Sequence, residues 1–119
     1  MACGGNLISS TGGPVTSPNY PSNYGNNEIC EWLITTTTGS VIRLTFDSFD
    51  VEDGFDFLKI YDGANIHSPQ FESLTGSESV SPITSTSNVM FLIFTSDESD
   101  TAQGFQFSYS EDISFGIST

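Results

Sequence analysis

Apolar and polar residues alternate along most of this chain, and no stretch keeps a helical repeat. Across Val41 to Phe49 the side chains Ile42, Leu44 and Phe46 recur at every second position. Leu58 and Ile60 do the same between Phe57 and Asp62, as do Phe105, Phe107 and Tyr109 further on. A period of two places such residues on one face of an extended strand. Cys30 to Thr35 follows suit, with Trp32 and Ile34 toward the core. These segments recur at intervals of about eight to twelve residues with Gly, Pro, Asn and Ser between them, the spacing of an all-β sandwich of two antiparallel sheets.

The intervening stretches are read by their turn chemistry. Leu7 to Ser9 and Val15 to Ser17 are expected as short strands around a Gly12-Gly13-Pro14 turn. Ser17 to Gly25 is expected as a loop, because Pro18 and Pro21 remove ladder donors. Asp62-Gly63-Ala64-Asn65 signals a turn, and His67 to Ser79 is the least regular region. Ile83 to Thr86 is expected as a strand and Ser87-Asn88 as a tight turn. Val89 to Thr95 is apolar on both faces, as in a central strand covered by the core on one side and by side-chain stems or a partner on the other. Residues 3–110 are read as one domain, 111–119 as a tail, linker or edge strand, and Met1-Ala2 as an added start ahead of a processed chain.

A length of 119 residues suits one domain with a real core. Against 15 Asp+Glu stand 2 Lys+Arg, a formal net charge of −13. Such a field repels phosphate backbones and anionic lipid, so nucleic acid and membranes are poor partners and cations or basic proteins better ones. No apolar run approaches a membrane span. Cys3 and Cys30 are too far apart for a redox pair of the C-x-x-C type and too few for a structural zinc site. A disulfide is the favoured reading over free thiols, and it implies an oxidising compartment.

Candidate chemistry concentrates in acidic turns. Asp50, Glu52, Asp53 and Asp56 crowd between two expected strands, and Asp97-Glu98-Ser99-Asp100 follows a third. Mutually repelling carboxylates on a loop call for a cation, and all-oxygen donors make Ca2+ the first candidate. A glycosidase pair is disfavoured because a catalytic acid needs an apolar setting and these acids are expected in open turns. His67 beside Ser68 lacks the glycine pattern of a nucleophile elbow and is read as a surface histidine. The chain is not expected to be an enzyme.

Taken in order, Cys3-Gly4-Gly5, Ser17-Pro18-Asn19-Tyr20-Pro21 with Tyr24, Cys30-x-Trp32-x-Ile34, Phe46-x-x-Phe49-Asp50-x-Glu52, Asp56-x-Leu58-x-Ile60-Tyr61-Asp62-Gly63, Phe94-x-Ser96-Asp97 and Gly104-Phe105 resemble the CUB domain family. The resemblance covers Cys3 to Tyr109 and implies a secreted β-sandwich with a jelly-roll-like strand arrangement, used for recognition or adhesion within larger proteins. It implies Ca2+ held by the Glu52, Asp56 and Asp97 carboxylates and the Ser99 carbonyl, with Asp53 and Asp100 as possible additions. Tyr24 would hydrogen-bond and orient the glutamate, and a Lys or Arg of an extracellular protein partner would be captured on the organised acids. Two departures stand out: the family's usual second disulfide is absent, its places taken by Asp53-Gly54-Phe55 and Leu74-Thr75-Gly76, and only three residues separate Glu52 from Asp56. The alternative expectation is a structural or adhesive tip domain in which Ca2+ only stabilises and the ligand is a glycan or a second copy of the chain.

Overall fold

A computed structural model describes residues 3–113. Among these residues nine strands, β1 (Gly4–Leu7), β2 (Thr11–Thr16), β3 (Ile29–Thr35), β4 (Ser40–Asp50), β5 (Phe57–Tyr61), β6 (Gln70–Leu74), β7 (Ile83–Thr84), β8 (Val89–Thr95) and β9 (Gly104–Ile113), form two sheets. One sheet has the order β1-β3-β8-β5-β6 and the other β2-β9-β4-β7. The expected sandwich is present, antiparallel except that β1 runs parallel to β3.

The alternating residues meet between the sheets. Trp32 packs edge-on against Phe105 and Phe107, and Phe94 against Phe105 and Tyr24, while Ile34, Ile42, Leu44, Leu58, Ile60 and Leu92 are fully buried. On β4 the inward parity slips by one after Phe46, where the pairing with β9 shifts register, so that Phe49 also faces inward. The expected disulfide joins Cys3 to Cys30 across a Cα–Cα distance of 5.1 Å and fixes β1 beside β3.

Two local expectations are corrected. Gly12-Gly13-Pro14 is not a turn but lies inside β2, across a register break between Gly12 and Val15. Gly13 has φ of +121°, and a Cβ on Gly12 would come within 2.5 Å of the Tyr109 ring, so these glycines serve close approach to β9. Within the region read as irregular, Gln70–Leu74 forms the edge strand β6. Glu111 to Ile113 continue β9 opposite Ser40 to Ile42, where β9 has outrun β2. The rest of the segment read as a tail, and Met1-Ala2, lie outside the described residues.

Candidate metal centre

Four stretches meet at the end of the sandwich where β4 finishes and β5 begins. Glu52 lies two residues past the end of β4, Asp56 precedes β5, Asp97 follows β8, and Tyr24 comes from the loop before β3. Both acidic turns are therefore carried by strands of the core, and the pairing of Phe57 with Thr95 brings their ends together. One carboxylate oxygen each from Glu52, Asp56 and Asp97 lies within 4.8 Å of the others.

Asp56 is fully buried, contrary to the open turn expected from sequence. Its Oδ2 accepts the Tyr24 hydroxyl at 2.5 Å, and its Oδ1 accepts the Asp97 backbone N–H at 2.9 Å. Burial and the bond to Asp56 raise the Tyr24 phenol well above its ordinary value, keeping it a donor. Tyr24 does not orient the glutamate side chain as expected: it holds the Asp56 carboxylate and accepts the Glu52 backbone N–H at 3.0 Å.

Glu52 is the strained member. Its Oε1 is buried and finds no hydrogen-bond donor among the described residues. Burial first, and then the charges of Asp97 and Asp56, push its carboxyl up to about 7. Without a cation it holds a proton close to neutral pH. An all-oxygen cluster with one acceptor out of water and unpartnered fits a hard divalent cation. A Cys3, Glu28 and Cys30 grouping also comes close, but its thiols are consumed in the disulfide.

The other expected residues lie at the rim. The Ser99 N–H donates to Asp97 Oδ1 at 3.2 Å, which leaves its carbonyl role open to test, and Asp100 adds to the repulsion that raises Glu52. Asp53 is exposed at the tip of the loop, outside the three-carboxylate cluster. Cavities of about 330 and 270 Å³ occur elsewhere, beside Glu111 and beside Glu78, and neither is lined by Glu52, Asp56 or Asp97.

Two residues escaped the sequence reading. The Thr75 Oγ1 accepts the Gly54 N–H at 2.9 Å and reaches the carbonyls of Asp56 at 2.8 Å and Glu52 at 3.2 Å. Thr75 thus clasps the two segments that the resemblance would have joined by a second disulfide. Ser96 accepts the Glu28 N–H at 2.8 Å and donates to the Gly25 carbonyl at 2.8 Å, tying the Tyr24 loop to the end of β8. A Thr in place of the missing cysteine was the only signal for the first, and Ser96 entered the reading only within the Phe94-x-Ser96-Asp97 match, with no role attached.

The family model for the CUB domain matches residues 3–109. Dog cubilin is 41% identical over 114 residues, 90% of this chain and 3% of cubilin. Human tolloid-like protein 1 is 37% identical over 107 residues, 87% of this chain and 11% of that protein. The chain thus spans a small part of these relatives. Among solved structures, the full extracellular region of zebrafish Gpr126/Adgrg6 superposes with a TM-score of 0.84 at 29% identity, covering 95% of this chain and 15% of that one. The crystal structure of the MASP-1 CUB2 domain bound to Ca2+ superposes with a TM-score of 0.80 at 30% identity, covering 92% of this chain and 99% of that one.

Proposed function

This chain belongs to the CUB domain family of extracellular, non-catalytic recognition modules, and from that membership we propose that it recognises a protein partner through a Ca2+-organised acidic surface. Glu52, Asp56 and Asp97 would hold the ion, which supplies the positive charge that three crowded carboxylates lack. Tyr24 keeps the Asp56 carboxylate oriented by donating to it. The Asp97 backbone N–H donates to Asp56, so the two acidic turns are already docked against each other. Oxygens not engaged by the ion would then accept charge-assisted bonds from a Lys or Arg of the partner.

The observation that carries this reading is the unpartnered, buried Glu52 Oε1 beside two further carboxylates. A cation removes that deficit and the repulsion together. The Ca2+-bound MASP-1 CUB2 domain, similar over nearly its whole length, supports the same ion here. A secreted or cell-surface setting within a larger protein is proposed with it, in keeping with the disulfide.

Surface-immobilised chain tests the reading with a lysine-rich peptide and its glutamine-substituted control. Retention of the lysine peptide alone, lost on chelation and weakened by salt, is the expected result. Retention unchanged by chelator and salt would contradict it.

A further inference from the structure

The outer face of the five-stranded sheet takes no part in the metal site. On β8, Met90, Leu92 and Phe94 point into the core, while Val89, Phe91 and Ile93 are half-buried on the other side and do not pack against the core cluster. Flanking strands extend this apolar strip: Leu33 and the buried Tyr61 lie on either side of Phe91, and Ile29 and Phe57 on either side of Thr95. Ile29 is 67% exposed. The opposite sheet presents Arg43, Thr45, Ser108 and Ser110 at its outward positions on β4 and β9. Water covers one face of the sandwich at little cost and the other face poorly.

One cross-strand row says what fits there. Glu31, Ile93 and Lys59 stand side by side across β3, β8 and β5. Lys59 is one of 2 Lys+Arg in a chain with 15 Asp+Glu, so most ways of bringing two copies together oppose acid to acid. This row instead has a cation on one side of an apolar residue and an anion on the other. A two-fold axis parallel to β8 sets Lys59 of each copy opposite Glu31 of the other, and Ile29 opposite Phe57. An axis across the strands would oppose like charges.

We propose that this face is the surface on which two copies of the chain associate, sheet to sheet, about a two-fold axis parallel to β8. Seven residues along three strands give a footprint of about 300 Å² per copy from strand spacing and rise. That is below the ~800 Å² per partner of a stable complex, so the dimer is weak and concentration-dependent.

Sedimentation equilibrium of the chain, carried to millimolar concentration, tests this, with near-ultraviolet circular dichroism confirming that each variant is folded. The wild type forms a reversible dimer. Lys59→Glu alone and Glu31→Lys alone each weaken it by about tenfold or more, because both contacts then oppose like charges. An equimolar mixture of the two variants restores association, since every Glu again meets a Lys. A wild type that stays monomeric, a dimer indifferent to both reversals, or a mixture that stays monomeric would overturn the proposal, the first leaving the face to a different partner.

Discussion

At one end of β4, Glu52 is crowded by Asp56 and Asp97 and its Oε1 has no donor among the described residues. At the other end, Glu111 accepts the Thr37 backbone N–H at 2.9 Å, and that bond holds its carboxyl below the ordinary glutamate value. The same side chain in the same strongly acidic molecule is thus short of donors at one pole and supplied with one at the other. The density of acids along the chain therefore does not mark a site. A shortage of donors around buried oxygens does, and the shortage identifies the pole at which a cation is needed.

The most severe way to break this contrast is Asp56→Ala. It strips the buried Tyr24 hydroxyl and Asp97 N–H of their acceptor and should cost on the order of 3 kcal/mol in chemical denaturation with chelator present. Ca2+ should give the variant no added stability. Glu52→Gln should act differently: its metal-free form keeps the wild-type stability or exceeds it, because repulsion falls, while its Ca2+ affinity drops about tenfold or more by titration calorimetry. An equal loss of metal-free stability in both variants would mean that the two carboxylates play the same structural part.

Acidity gives the two poles opposite signs. The folded-state value for Glu52, about 7, lies above its ordinary 4.5, so the folded metal-free chain retains a proton that the unfolded chain releases. Stability from Glu52 is then full below about pH 4.5 and lost as pH rises toward 7. Glu111 is lowered, so its contribution is present above the ordinary value and lost as pH falls below it. Denaturation midpoints against pH should show both limbs, with Glu52→Gln flattening the upper and Glu111→Gln the lower. Because Ca2+ must displace the Glu52 proton, its affinity should climb by up to about tenfold per pH unit below 7 and level off above.

Thr75→Val should have a smaller effect, about 1 kcal/mol in stability, since one hydroxyl and its bonds are removed from a site of similar shape. It should also weaken Ca2+ several-fold by loosening the Glu52–Asp56 turn. The smallest effect expected is that of Glu111→Gln on Ca2+ binding, which should be none.

The strands were legible where burial is one-sided. Ile42, Leu44, Trp32, Ile34, Phe105 and Phe107 carry their parity openly, and all are buried as that parity requires. β6 was not legible, because Gln70-Phe71-Glu72-Ser73-Leu74 is an edge strand with three exposed positions and only Leu74 fully buried. The glycines of β2 looked like a turn, since their packing against Tyr109 and Ser108 is a contact across the sheet. In the metal centre the three carboxylates that come together, Glu52, Asp56 and Asp97, were readable through the resemblance. The burial of Asp56 was not, as it depends on Tyr24 arriving from 32 residues away. Nor was the Thr75 clasp, which works through backbone carbonyls that no side-chain pattern encodes.

Calorimetric titration of Ca2+ into wild type, Glu52→Gln and Glu111→Gln at pH 7.5 tests the central claim most directly. One ion binding to wild type and to Glu111→Gln with the same affinity, and far more weakly to Glu52→Gln, is the predicted result. Equal binding by all three, or no binding to the wild type, would contradict it.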